Sequence, residues 1–257
     1  MAYLQGEFPI IARTKLAENI FDYTIGCPQV AEQAKAGQFV HIKADGFMLR
    51  RPISICEIDK TKGTIRIVFE IRGSGTDEIA KLNAGGKIDM LAPLGNGFEL
   101  LDRAKKAIVI GGGIGVPPMV EAAKHYGKNA AAIIGFRNAD AVILEEDFIN
   151  CGCETLLTTD DGSKGKKGFV SDALAEYLKN SSADIIYACG PKPMLYAINE
   201  IAKQHNIRLQ VSLEERMACG VGACLGCACK AKKEDGTETY KHVCKDGPVF
   251  EAEEVLL

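Results

Sequence analysis

No stretch of this sequence carries the roughly 18 consecutive apolar residues that a helix needs to cross a bilayer. The opening residues, MAYLQGEFPI, have neither the basic patch nor the unbroken apolar core of a secretory signal. Blocks of Lys or Arg are missing as well. With 31 basic against 34 acidic residues the net charge is −3, which leaves no electrostatic footprint for nucleic acid or for an acidic membrane surface. Internal repeats and low-complexity tracts are also absent. Together these absences predict a cytoplasmic protein with no nucleic-acid and no membrane partner, one that meets small molecules or other proteins. Apolar residues are not in short supply. At 47% of 257 residues, with 25% charged, they suffice for two compact domains and a small appendage.

Up to about residue 100 the pattern is short β runs punctuated by glycine: residues 38–43, 63–71 and 87–91. Runs this short, alternating and rich in β-branched residues, predict an antiparallel barrel or sandwich, with a helix after Thr76. Residues 101–210 change texture. Apolar runs at 107–110, 129–134, 155–158 and 184–188 alternate with helical patterns at 118–126, 171–179 and 193–204, which predicts a parallel α/β domain covered on both faces. Residues 211–257 hold too few apolar residues for a core of their own and must be held by something else. Lys230–Gly236 is expected as a hairpin tip.

That last segment contains CGVGACLGCAC, residues 219–229. Three chemistries compete for so many thiols: a disulfide framework, a structural zinc site or an iron–sulfur cluster. A cytoplasmic chain of this size needs no disulfide staples and lies in a reducing compartment. Cys219, Cys224 and Cys227 have the spacing C-x4-C-x2-C, and Cys244 follows, which is the plant-type [2Fe-2S] pattern. Structural zinc sites instead pair two C-x2-C knuckles. Gly220, Gly222 and Gly226 let the backbone curl round an inorganic core and aim its amides at sulfur. The cluster is the favoured reading and zinc the alternative. Cys229 is expected as a packed thiol, with an exchange of roles with Cys227 as the alternative, and the scattered Cys27, Cys56, Cys151, Cys153 and Cys189 mostly as small buried hydrophobes.

IGGGIGVPP, residues 110–118, follows a buried strand and opens a helix, where backbone amides can receive a pyrophosphate. It departs from the Rossmann fingerprint, because Gly113 and Gly115 are followed by Pro118 rather than by a third glycine. This form is similar to that of ferredoxin–NADP reductase-type modules. RPIS, residues 51–54, resembles their flavin motif, and GSGT, residues 73–76, their second phosphate loop. The resemblance implies that Arg51 pairs with the FAD pyrophosphate and Ser54 approaches the flavin N5, with Pro52 and Ile53 beside them. It implies that Val68, Phe69 and Glu70 line the flavin, the last through its backbone, and that Gly75 and Thr76 meet phosphate. ACGP, residues 188–191, resembles the motif that lies beside the nicotinamide, which gives Cys189 and Gly190, with Gly113 and Gly115, to NAD.

The run from Glu214 to Cys227, together with VCKDGPVF at 243–250, resembles the electron-transfer subunits of type B dihydroorotate dehydrogenases, and the likeness extends over the whole chain. It implies an FAD-binding β-barrel over 1–100, an NAD-binding α/β domain over 101–210 and a [2Fe-2S] segment over 211–257, with Cys219, Cys224, Cys227 and Cys244 as ligands. It further implies an FMN-containing dihydroorotate dehydrogenase catalytic subunit as partner, in a heterotetramer of two of each. Electrons would pass from FMN through [2Fe-2S] and FAD to NAD in pyrimidine biosynthesis, with an interface near the cluster. The second reading is the related subunit of a ferredoxin-dependent NAD(P) transhydrogenase or sulfide dehydrogenase. A third, of another class, is a zinc-bearing nucleotide-regulated module without redox chemistry.

Overall fold

The computed structural model describes residues 3–233 and 235–257. The first two residues of the opening run, and Glu234 of the expected hairpin tip, lie outside them. Six strands close a barrel: β1 (Leu4–Ala17), β2 (Ile20–Gly26), β3 (Phe39–Ile42), β4 (Arg51–Asp59), β5 (Thr64–Glu70) and β6 (Lys87–Leu94), in the order β1-β2-β5-β4-β3-β6. Every pairing is antiparallel, and β1 is long enough to pair with β2 along one half and with β6 along the other, which closes the ring. Alternation fills the interior: Phe21, Tyr23 and Ile25 on β2 meet Ile65, Ile67 and Phe69 on β5. Helix α1 (Pro28–Gln33) and helix α2 (Ser74–Ala80) lie in the barrel connections. The barrel expectation is met, although α2 begins before Thr76 rather than after it.

Strand β3 is buried at all four positions, which a barrel strand with one solvated face would not be. Val40 and Ile42 point into the barrel core. Phe39 belongs instead to a core shared with Cys227, Cys244 and the nucleotide domain, and His41 is covered by Gly220. The outer face of β3 is therefore the seat of the cysteine segment.

A second sheet follows, built from β7 (Ala107–Gly112), β8 (Ala130–Phe136), β9 (Glu154–Thr159), β10 (Lys166–Lys167), β11 (Ile185–Cys189) and β12 (Arg208–Ser212), all parallel. Helices α3 (Met119–Tyr126) and α4 (Glu145–Asn150) bring buried residues to one core over this sheet; α5 (Val170–Tyr177) and α6 (Lys192–Gln204) bring them to another. The apolar runs read from the sequence are these doubly covered strands. Two more strands, β13 (Ala228–Lys232) and β14 (Glu238–His242), form a hairpin, and β15 (Val249–Glu251) returns antiparallel beside β12 at the sheet edge. Lys230 and Lys232 are thus strand residues, not tip residues. Cys229 and Ala231 face the core between them, which fixes the alternation. The support that the cysteine segment requires comes from the nucleotide sheet, since Val243, Phe250, Ala252 and Val255 share its core.

Arg66 on β5 clamps the barrel to the nucleotide domain. Its guanidinium holds Asp22 at 2.7 Å and also pairs with Asp147 on α4. Glu121 on α3 accepts the Ile58 amide at 2.9 Å, and Lys124 reaches Glu57 at 2.7 Å. These contacts tie the barrel to the helices α3 and α4.

Candidate flavin, nucleotide and cluster site

A solvent-open cleft of ≈ 200 Å³ gathers Arg51, Pro52, Ile53 and Ser54 from β4, Val68, Phe69 and Glu70 from β5, and Thr76 from α2. Segments far apart in sequence are brought together because β4 and β5 are neighbours in the barrel and α2 leaves directly from β5. Thr76 Oγ1 accepts the amides of Arg72 and Gly73 at 2.9 and 3.2 Å and so sets the turn into α2. Gly75 does not line the cleft, yet it makes room for the residue that does: a Cβ there would stand 2.3 Å from Nε and Nη2 of Arg51. The Arg51 guanidinium donates to the Leu49 carbonyl at 2.6 Å and lies over the Phe47 ring.

The cleft also has lining residues that sequence reasoning missed. Phe39, Ile114 of the glycine loop, Glu214 and Met217 are among them. Arg72 enters as well, held by Glu70 at 2.8 Å and Glu214 at 3.6 Å, and its guanidinium is pushed up in pKa by those carboxylates, Glu70 foremost. Glu70 therefore anchors a cation in the same cleft. Arg72 was legible only as a neighbour of the Gly73–Thr76 loop; nothing in sequence marks Phe39 or Met217.

The nucleotide loops meet at the ends of β7 and β11, which are adjacent, with Cys189 opposite Gly111. Gly113 takes φ +56° with open space around it, whereas Gly115 packs so tightly that a Cβ would fall 2.4 Å from the Cys189 carbonyl oxygen. Gly190 in turn lies against Met194. Burial pushes the Cys189 thiol up to about 12, so it stays protonated at neutral pH. Gly115→Ala will push these loops apart. Overpacking against backbone costs about 1–3 kcal/mol, so the expected result is a lower melting temperature together with a raised KM for NADH. A melting temperature at the wild-type value would contradict the tight contact.

The cysteine loop wraps its sulfurs in amides. Cys219 Sγ accepts from Val221, Ala223 and Cys224 at 3.4, 3.2 and 3.4 Å, and Cys244 Sγ accepts from Gly222 at 3.1 Å. Burial opposes the Cys219 thiolate, but these donors and the Cys224 side chain outweigh it and bring the thiol down to about 6. Cys227 and Cys244 sit 3.2 Å apart in the buried floor, where burial and the neighbouring thiol push Cys244 up to about 12. The sulfurs fall into two couples, Cys219 with Cys224 and Cys227 with Cys244. Among the described residues no three or more His, Cys, Asp or Glu side chains are arranged round a single metal ion. Two couples suit a two-iron centre, in which each iron takes two protein ligands, and left-handed φ at Gly220, Gly222 and Leu225 gives the loop its curl. Cys229 lies buried in β13 with its thiol raised in pKa by burial. All ten cysteines are free.

Residues 214–256 match the family model described as the iron–sulfur cluster binding domain of dihydroorotate dehydrogenase B, and residues 109–200 that of the oxidoreductase NAD-binding domain. The dihydroorotate dehydrogenase B (NAD(+)) electron transfer subunit of Geobacillus thermodenitrificans is 44% identical over 96% of this chain and 97% of its own length. That of Streptococcus mutans is 42% identical over 99% of both. Among solved structures, one described through flavin-based electron bifurcation by an NADH-dependent reduced ferredoxin–NADP oxidoreductase superposes with a TM-score of 0.85 at 31% identity, over 96% of this chain and 89% of that one. The ferredoxin reductase of carbazole 1,9a-dioxygenase, at 18% identity, TM-score 0.68 and 80% and 67% coverage, shares the fold. The second reading from sequence thus has a structural relative, but at lower identity than the dihydroorotate dehydrogenase subunits. With a two-domain reductase fold, a cleft at the expected flavin motif and relatives above 40% identity over nearly its full length, the chain belongs to the family of dihydroorotate dehydrogenase B (NAD+) electron transfer subunits.

Proposed function

We propose that this chain passes electrons from the FMN of a dihydroorotate-oxidising catalytic subunit to NAD+, with a [2Fe-2S] cluster and FAD bound along the way, in an assembly of two subunits of each kind in the cytoplasm. The observation that carries this reading is one cleft walled by three segments: the barrel motif at Arg51–Ser54, Ile114 of the nucleotide loop, and Met217, two residues ahead of Cys219. Flavin motif, nucleotide loop and the segment leading into the cysteine loop therefore meet at a single place. When bound, FAD supplies the exchange between single electrons and the pair that nicotinamide takes as hydride.

The chain's own residues divide the remaining work. Arg51 presents a planar fork to phosphate, and Gly75 clears the space it occupies. Ser54 offers a hydroxyl to a ring nitrogen from the strand floor. Gly113 leaves open space for backbone to approach a dinucleotide, Gly115 packs that loop onto the Cys189–Gly190 backbone, and the Cys189 thiol, kept protonated by burial, adds no charge there. Cys219, Cys224, Cys227 and Cys244 are the thiols to hold iron, and the amides of Val221, Ala223 and Gly222 stabilise negative sulfur. Among the described residues no helix is long and apolar enough to cross a membrane.

Co-expression with the FMN subunit encoded by the same cell tests the reading. The expected outcome is a complex of two plus two subunits by light scattering, with dihydroorotate-dependent NAD+ reduction and a paramagnetic signal after chemical reduction. A complex that reduces NAD+ from ferredoxin but not from dihydroorotate would favour the transhydrogenase reading. A colourless, zinc-loaded chain would refute both.

A further inference from the structure

His41 is fully buried, and neither ring nitrogen reaches a hydrogen bond of full geometry among the described residues, although the backbone of Arg50 and of Cys219 lies close to the ring. An unsatisfied buried polar group costs about 1–3 kcal/mol, so its persistence asks for a partner that the surroundings supply. Two independent observations show where. Strand alternation turns Val40 and Ile42 inward and leaves Phe39 and His41 together on the outer face of β3. Phe39 lines the flavin cleft. His41 lies under the cysteine loop: Gly220, at φ +73°, rests so closely that a Cβ would stand 2.4 Å from Nδ1, with the backbone of Cys219 and of Arg50 bordering the ring.

Resting on the reading of this loop as the cluster site, we propose that His41 is a positioning residue for the cluster. Its ring N–H anchors the Cys219–Gly220 backbone to β3 when [2Fe-2S] is bound. Because Phe39 and His41 are two residues apart on one strand, roughly 7 Å along it, β3 then acts as a ruler between flavin and cluster. The Gly220 turn has glycine because only a residue without Cβ can both take this φ and lie against the imidazole. Arg50 steadies the strand from the other side, pairing with Asp89 at 2.9 Å.

The test uses the full chain reconstituted with FAD, iron and sulfide. His41→Phe keeps a planar aromatic ring and loses the donor; His41→Gln keeps a donor. FAD content serves as the folding control in every sample. His41→Phe is expected to release iron to a chelator about 10–100-fold faster, the range for losing a partner of a metal ligand, and to shift the g values of the reduced cluster. His41→Gln is expected to lie nearer wild type in both. Gly220→Ala, which lifts the turn off the ring while leaving the barrel untouched, is expected to reproduce His41→Phe and stands in for it should that variant fail to bind FAD. Wild-type iron release and spectrum in His41→Phe, or in Gly220→Ala, would overturn the proposal. A wild-type chain that shows no cluster signal would instead strike at the cluster reading, and the proposal with it.

Discussion

Cys227→Ser will yield a yellow protein that still accepts electrons from NADH but no longer links dihydroorotate to NAD+. Cys227 and Cys244 form the buried couple of the cysteine loop, 3.2 Å apart and nearly without exposure, so neither can be replaced by a solvent ligand. The hydroxyl of serine is not ionised at neutral pH and gives up the soft thiolate that iron prefers. Losing an outer partner of a metal ligand already costs about 10–100-fold, and losing a ligand itself will cost at least about 100-fold in dihydroorotate-dependent NAD+ reduction. Cys227 does not line the flavin cleft, so NADH-driven reduction of an artificial dye will persist. The measurement is a pair of assays on one sample, with the visible spectrum alongside. Cys229→Ser is the control: this thiol packs in β13 and donates to no sulfur of the loop, so colour and flux should survive. Retention of the cluster spectrum in Cys227→Ser together with its loss in Cys229→Ser would exchange the roles of the two residues.

The parts of this molecule that were legible in the sequence are those in which chemistry constrains adjacent residues. The C-x4-C-x2-C run, the RPIS strand and the glycine turn after β7 each act through neighbours in the chain, so their spacing carries the message. The doubly covered strands of the nucleotide sheet were visible for a similar reason: burial on both faces forces a continuous apolar run. What could not be read depends on contacts between distant segments. Phe39 and Met217 are ordinary apolar residues until β3 and the cysteine segment fold onto the same cleft. The charge cluster around Arg72 is hidden in the sequence because Glu70 is its near neighbour while Glu214 comes from more than a hundred residues away. The hairpin tip was misplaced because charge at Lys230 and Lys232 reads as a loop, whereas the buried Cys229 and Ala231 between them make a strand with one wet face. His41 looks like any polar residue alternating in a strand; only the approach of Gly220 reveals that both faces of β3 are covered.

Arg51→Ala will release FAD. A charge-assisted hydrogen bond is worth about 1.5–3 kcal/mol, so loss of a guanidinium proposed to meet phosphate through two N–H groups is expected to weaken binding by about 100-fold or more. Arg51→Lys keeps the charge but not the fork and is expected to fall between the two. The structure supplies a sharper test through Gly75. Its φ is not in the left-handed region, and it lies in the first turns of α2, so alanine there favours the helix by about 0.5–1 kcal/mol. The same Cβ would occupy the space of Arg51 Nε and Nη2, 2.3 Å away, and the flexible arginine must yield. Gly75→Ala is therefore expected to move two quantities in opposite directions: the apoprotein melts at an equal or higher temperature, while FAD affinity falls by about tenfold as the fork is displaced. If Gly75 acts only by making room for Arg51, the double variant Arg51→Ala/Gly75→Ala binds FAD no worse than Arg51→Ala alone, since the obstructed group is gone. Flavin fluorescence titrations of the four proteins complete the cycle. Additive losses would mean that Gly75 meets the cofactor directly and that its closeness to the guanidinium is incidental.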